Sequence, residues 1–177
     1  ELSGQGLQYF TEARSIAAPN DTYPVHSLTS SGAESRIDAV VSPKGGGALS
    51  ASIADSLAAG GNKRGDYSVD WQTERVSATE VASGYASTIP GGSGNTSSGT
   101  YSSALGGSDN IASGNGSVVM GRRAIDRGIR SRLVFADGYI TDQFAYVAGN
   151  SQVATQVLHR AATGATATIL SASGSDP

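Results

Sequence analysis

Between residues 81 and 121 the chain repeats every fifteen residues. Residues 81–95 read VASGYASTIPGGSGN, residues 96–110 read TSSGTYSSALGGSDN, and residues 111–121 read IASGNGSVVMG. The first two units match at Ser83/Ser98, Gly84/Gly99, Ser87/Ser102, Gly91/Gly106, Gly92/Gly107, Ser93/Ser108 and Asn95/Asn110; the third keeps Ser113, Gly114, Ser117 and Gly121. A helix tolerates this glycine density poorly, since each Gly costs about 1 kcal/mol relative to Ala. Short strands joined by glycine corners fit better. Residues 87–90, 102–105 and 117–120 are strand-length pieces. Gly91-Gly92 and Gly106-Gly107 are expected to supply positive φ for tight turns. Ser83-Gly84 and its equivalents make the second corner. One unit is then one coil of a β-solenoid or β-roll, with coils stacked about 4.8 Å apart.

A narrow coil explains an unusual composition. The 177 residues include 24 Gly, and only 38% are hydrophobic and 6% aromatic. So few large side chains leave two routes to stability, a repeating scaffold with a thin core or a core shared between subunits. Whole-chain disorder fits less well, because only 15% of residues are charged and the net charge is −3. Strand alternation puts Ser87 and Ile89 on one face and Thr88 and Pro90 on the other. The second face also takes Ser103, Leu105, Val118 and Met120. Small residues fill the coil, so Leu105, Val118 and Met120 have no place inside one chain. They are expected to form an apolar stripe that meets another subunit.

The flanks also read as β. Residues 36–42, the Pro43-Lys44-Gly45-Gly46-Gly47 turn and residues 48–53 suggest a hairpin. Residues 131–136 form a strand closed by Asp137-Gly138, and residues 152–160 and 165–170 are further strands about Gly164. The expected organisation is an N-terminal β region (1–57), a junction (58–80), the repeats (81–125) and a C-terminal β region (126–177). The fold class is all-β, a solenoid of fifteen-residue repeats flanked by hairpins. The chain opens at Glu1 with no signal peptide or transmembrane run, as expected of a piece of a longer protein.

The Ala/Ser-Ser-Gly units closed by Gly, over residues 81–125, resemble the head repeats of trimeric autotransporter adhesins. Residues 58–84, AAGGNKRGDYSVDWQTERVSATEVASG, are similar to a module of phage and prophage tail fibres and tail spikes that leads into such repeats. Pro43-Lys44-Gly45-Gly46-Gly47 fits the same module. The order Gly149-Asn150-Ser151-Gln152, Val157-Leu158-His159-Arg160 and Thr163-Gly164-Ala165-Thr166 is similar to a stalk motif of tail fibres. These resemblances imply a homotrimer, intertwined or side by side, with Leu105, Val118 and Met120 at its interface; the residues alone leave two or three copies open. They imply a structural and host-recognition segment at a virion tail, binding a host glycan or protein receptor. The alternatives are the head of a bacterial surface adhesin and the non-catalytic part of a polysaccharide depolymerase.

No chemistry-bearing motif stands out. With no Cys, disulfides, cysteine nucleophiles and Cys-type zinc sites are excluded. His26 and His159 lack partners at metal spacing, and no Gly-x-Ser-x-Gly elbow is present. Asp66, Asp70 and Glu74 are close enough in sequence to offer a glycosidase pair, although solvated carboxylates are the plainer reading. Arg64-Gly65-Asp66 spells an adhesion tripeptide, for which an exposed turn is again plainer. Trp71 suits either stacking on a sugar or closing the coil end as a buried cap. Asp109 replaces Gly94 in the second unit, unlike calcium-binding rolls, which keep an Asp in every unit. Arg122, Arg123, Arg127, Arg130 and Arg132 form a basic run, read as a solvated turn region. No catalytic residue, cofactor, metal, nucleic-acid partner or membrane insertion is expected.

Overall fold

A computed structural model describes residues 10–15, 25–30, 41–137 and 152–156. The chain divides into two units, Glu1–Ser42 and Pro43–Pro177. In the first, β1 (Phe10–Ser15) pairs antiparallel with β2 (Val25–Ser30), Phe10 facing Ser30 and Ser15 facing Val25.

The second unit is a β-solenoid of about five turns, without helix among the described residues. Its strands are β3 (Leu49–Ser50), β4 (Val69–Asp70), β5 (Thr88–Ile89), β6 (Thr96–Ser97), β7 (Ser103–Ser108), β8 (Ile111–Ala112), β9 (Val118–Arg122), β10 (Arg132–Asp137) and β11 (Gln152–Gln156). One wall runs β3-β4-β5-β7-β9-β10 in parallel, and β11 joins β10 antiparallel. The second wall pairs β6 with β8 and is extended by the parallel bridges Ala82 to Ser97 and Ile111 to Ile125. The parallel stack thus reaches well beyond residues 81–125, into the junction and into the C-terminal region.

Register shows where the repeat holds. Thr88 faces Ser103, Ser103 faces Val118, and Val118 faces Leu133, an advance of fifteen residues each time. Upstream, Leu49 faces Val69 and Val69 faces Thr88, so those coils are longer by five and four residues.

Alternation sorts the side chains as expected. Ser87, Ile89, Ser102, Ala104, Ser117 and Val119 are buried. Ile89, Ala104, Val119 and Val134 stack along the first wall, and Ala82 and Ala112 along the second. Opposed side chains leave little space, which is why Ala and Ser fill most inner positions. Coils are tied by bonds such as Thr88 N–H to Ser102 O (3.0 Å) and Ser103 N–H to Ser117 O (2.9 Å).

The tight turns are the Gly-x-x-Ser segments. Ser87, Ser102 and Ser117 donate N–H to the carbonyls of Gly84, Gly99 and Gly114 at 3.3, 3.2 and 3.1 Å. A Cβ on Gly99 would stand 2.3 Å from Gly114 O on the next coil, so only hydrogen fits. Gly106 and Gly107 act differently from the tight turn expected of them. Both lie inside β7, where Ala104 faces Val119 but Gly107 faces Gly121. Two residues oppose one, a β-bulge that bends the strand. The third unit is therefore one residue shorter at this corner. Gly92, the counterpart of Gly107, lies just after β5, and a Cβ there would stand 2.2 Å from Gly107 O.

Of the expected hairpin at residues 36–53, residues 36–40 lie outside the described residues; β3 pairs in parallel with β4. The expected strand at 165–170 and His159 also lie outside them. Residues 132–137 and 152–156 are strands.

Candidate functional site

Two surfaces and two buried polar clusters stand out. The first surface is the outer face of the long wall. Trp71 follows Asp70 in β4 as Pro90 follows Ile89 in β5, and register carries this outward line through Leu105, Met120, Phe135 and Val153. Leu105 is 48% exposed, Phe135 55% and Val153 69%; Met120 and its neighbour Val118 are half-buried. Leu105, Val118 and Met120 thus share one face. Trp71 stands half-exposed on it and is not a buried cap. Phe135, Leu133 and Val153 extend the face beyond the residues singled out from sequence. Fifteen residues added to Met120 gives Phe135, a signal that the altered spacing after Gly121 obscures.

The second surface is the turn corner. Tyr67, Tyr85 and Tyr101 project from three successive Gly-x-x-Ser turns. Their ring centroids are 5.4 and 5.7 Å apart, with interplanar angles of 71° and 88°, edge to face. Tyr85 occupies the second turn position and Tyr67 and Tyr101 the third, so the repeat alignment does not reveal them.

The first buried cluster closes the upstream coils. Asp70 faces Ile89 and takes the same inward position. Its Oδ2 accepts from Arg64 Nε at 2.8 Å and Arg75 Nη2 at 3.3 Å, all three residues being buried. Arg64 Nη1 also donates to the carbonyls of Gly60 and Asn62, and Arg75 Nη2 to that of Gln72. A buried charge persists only when paired and hydrogen-bonded in this way. Asp70 is therefore not free to partner Asp66 or Glu74, which are exposed. Nor is Arg64-Gly65-Asp66 an exposed turn throughout, because Arg64 is only 5% exposed.

A polar column continues from that cluster. Gln72 Oε1 accepts from Asn95 N–H (2.7 Å), Asn95 Oδ1 from Asn110 N–H (3.1 Å), and Asn110 Oδ1 from Ala124 N–H (2.8 Å). Gln152 of β11 then takes both backbone groups of Ile125, accepting at 3.1 Å and donating at 3.0 Å.

The second cluster surrounds Asp126, which follows Ile125 as Ala112 follows Ile111 and is fully buried. Its carboxylate accepts from the backbone N–H groups of Ser113, Gly114 and Gly128 and from the hydroxyls of Ser113 and Ser117. Burial pushes its pKa up, but the bonds from Ser117, Gly114, Gly128 and Ser113 outweigh it and hold the group below the usual carboxylate value. In the basic run, Arg123 meets Asp109 at 3.5 Å and Arg132 donates to Asp126 O at 3.2 Å.

A cavity of about 400 Å³ lies at the Tyr67 end of the corner, lined in part by Ser50, Lys63, Arg64 and Asp66. Among the described residues no cluster of His, Cys, Asp and Glu is arranged to hold a metal ion, and no helix is long and apolar enough to cross a membrane. Comparison with protein-family models, curated proteins and solved structures finds no match to this chain.

Proposed function

We propose that this chain is a structural and host-recognition segment of a homotrimeric fibre of the tail-fibre or tail-spike kind, displayed at a virion tail. The observation that carries the reading is the outward apolar line Trp71, Pro90, Leu105, Met120, Phe135 and Val153. Paired strands hold these side chains in fixed register, so a matching surface meets them as a set. Exposed apolar lines of this length usually mark interfaces. A second copy offers the same line, and closure about an axis parallel to the stack buries it in every copy. Three copies follow from the resemblance of the repeats to trimeric heads. A trimer of stacked coils bears load along its axis and presents its corners outward to a receptor, without chemistry of its own.

Native mass measurement on the purified chain tests this reading. Three times the chain mass is expected at micromolar concentration. A well-folded monomer overturns the proposal.

A further inference from the structure

The turn corner carries side chains that the coil does not require. Tyr67 and Tyr101 hold φ of +59° and +58°, where a bulky residue is strained. In the other coils the same turn position holds Ala86, Gly116 and Ser131, also at positive φ. Glycine serves this turn without strain, so the aromatic rings are additional to the needs of the fold. The rings are 46–64% exposed and in contact with one another, a continuous aromatic edge along the stack.

The cavity lies at one end of this edge. Tyr67 N–H donates to Gly46 O at 3.1 Å, which joins the first ring to the cavity wall. Lys63 is exposed on that wall and makes no ion pair among the described residues. Arg64 is part of the wall, and its buried Nη2 has no hydrogen-bond partner. Arg64 and Arg75 share the single carboxylate of Asp70. Of the charged residues that line the cavity, Lys63 and Arg64 are basic and Asp66 is acidic.

We propose that this corner binds a linear acidic polysaccharide, with a uronate carboxylate in the cavity beside Lys63 and successive pyranose rings along Tyr67, Tyr85 and Tyr101. The proposal rests on the host-recognition reading and names the class of receptor. Tyrosine presents an apolar ring face for sugar C–H groups and a hydroxyl for sugar oxygens. Coils rise about 4.8 Å each, close to the length of one sugar in an extended chain, so a sugar chain along the stack keeps step with the tyrosines, whose faces turn by 71° and 88° from one ring to the next. Asp66 and Ser50 accept from sugar hydroxyls.

Calorimetric titration of the whole chain with oligosaccharides of hyaluronan, alginate and polygalacturonate tests the proposal. At least one is expected to bind, and its methyl ester more weakly. Tyr85→Ala is expected to weaken binding about tenfold, by loss of one stacking contact, and Tyr85→Phe to retain it. Lys63→Glu should weaken the acidic ligand while leaving the melting temperature in place. Failure of all three acidic oligosaccharides to bind, or binding that survives both Tyr85→Ala and Lys63→Glu, overturns the proposal. Native mass on the same samples separates the two readings: a trimer that binds none of them removes only this inference, and a monomer removes the assembly.

Discussion

A methyl group is too large for the inner side of the Gly99 turn. Its Cβ would meet the carbonyl of the coil below at 2.3 Å, whereas a Cβ on Gly106 would meet nothing within 4 Å. Gly99→Ala should therefore destabilise by about 3 kcal/mol through overpacking. Gly106→Ala, at φ +97°, should cost only about 1–2 kcal/mol of backbone strain. Urea denaturation of the two variants checks the order, and a reversed order would contradict the stacking contact. Asp126 gives a second residue-level expectation. Its folded-state pKa lies below the ordinary 3.8, so the unfolded chain binds the proton more readily. The stability it contributes is complete above 3.8 and is lost as pH falls through the folded-state value. Asp126→Asn should lower stability at neutral pH and flatten the acid limb of a melting-temperature profile. An unchanged acid limb would count against the assignment.

At the scale of the element, each coil is bound to the next by a side chain as well as by strand pairing. Asn110 accepts from Ala124 N–H and donates to Asn95 Oδ1 and to the carbonyls of Gly106 and Gly121. Asn110→Ala leaves these buried groups unpartnered and should destabilise by about 3 kcal/mol, read by thermal unfolding; a loss under half that size would show that strand pairing alone holds the coils. The Asn95/Asn110 match is visible in the sequence, but its purpose is not, because identity at a period does not reveal which backbone group a side chain reaches. The middle coils are legible because Ser87, Ile89, Thr88 and Pro90 alternate cleanly. The outer coils are not, for a physical reason. Asp70 stands in the inward position of Ile89, and Asp126 in that of Ala112. A carboxylate there reads as surface until its arginine or serine partners are seen. The longer upstream coils also break the spacing by which Val69 would be found.

For the whole molecule, the apolar face and the tyrosine corner make separable demands. Leu105→Asp and Phe135→Asp each place like charges together in a closed assembly and should yield smaller particles in light scattering, while Tyr101→Asp should not. Dissociation by Tyr101→Asp alone would move the subunit contact to the corner. Both surfaces are built by stacking, and among the described residues the stack ends on β11. That strand runs against its neighbour, and the amide of Gln152 is already bonded to Ile125 at both ends. A coil arriving there from another molecule finds the backbone direction reversed. Open strand edges template amyloid-like growth; this one is mismatched to the repeat it terminates. Among the described residues, β11 is the one strand of the long wall that breaks its parallel run.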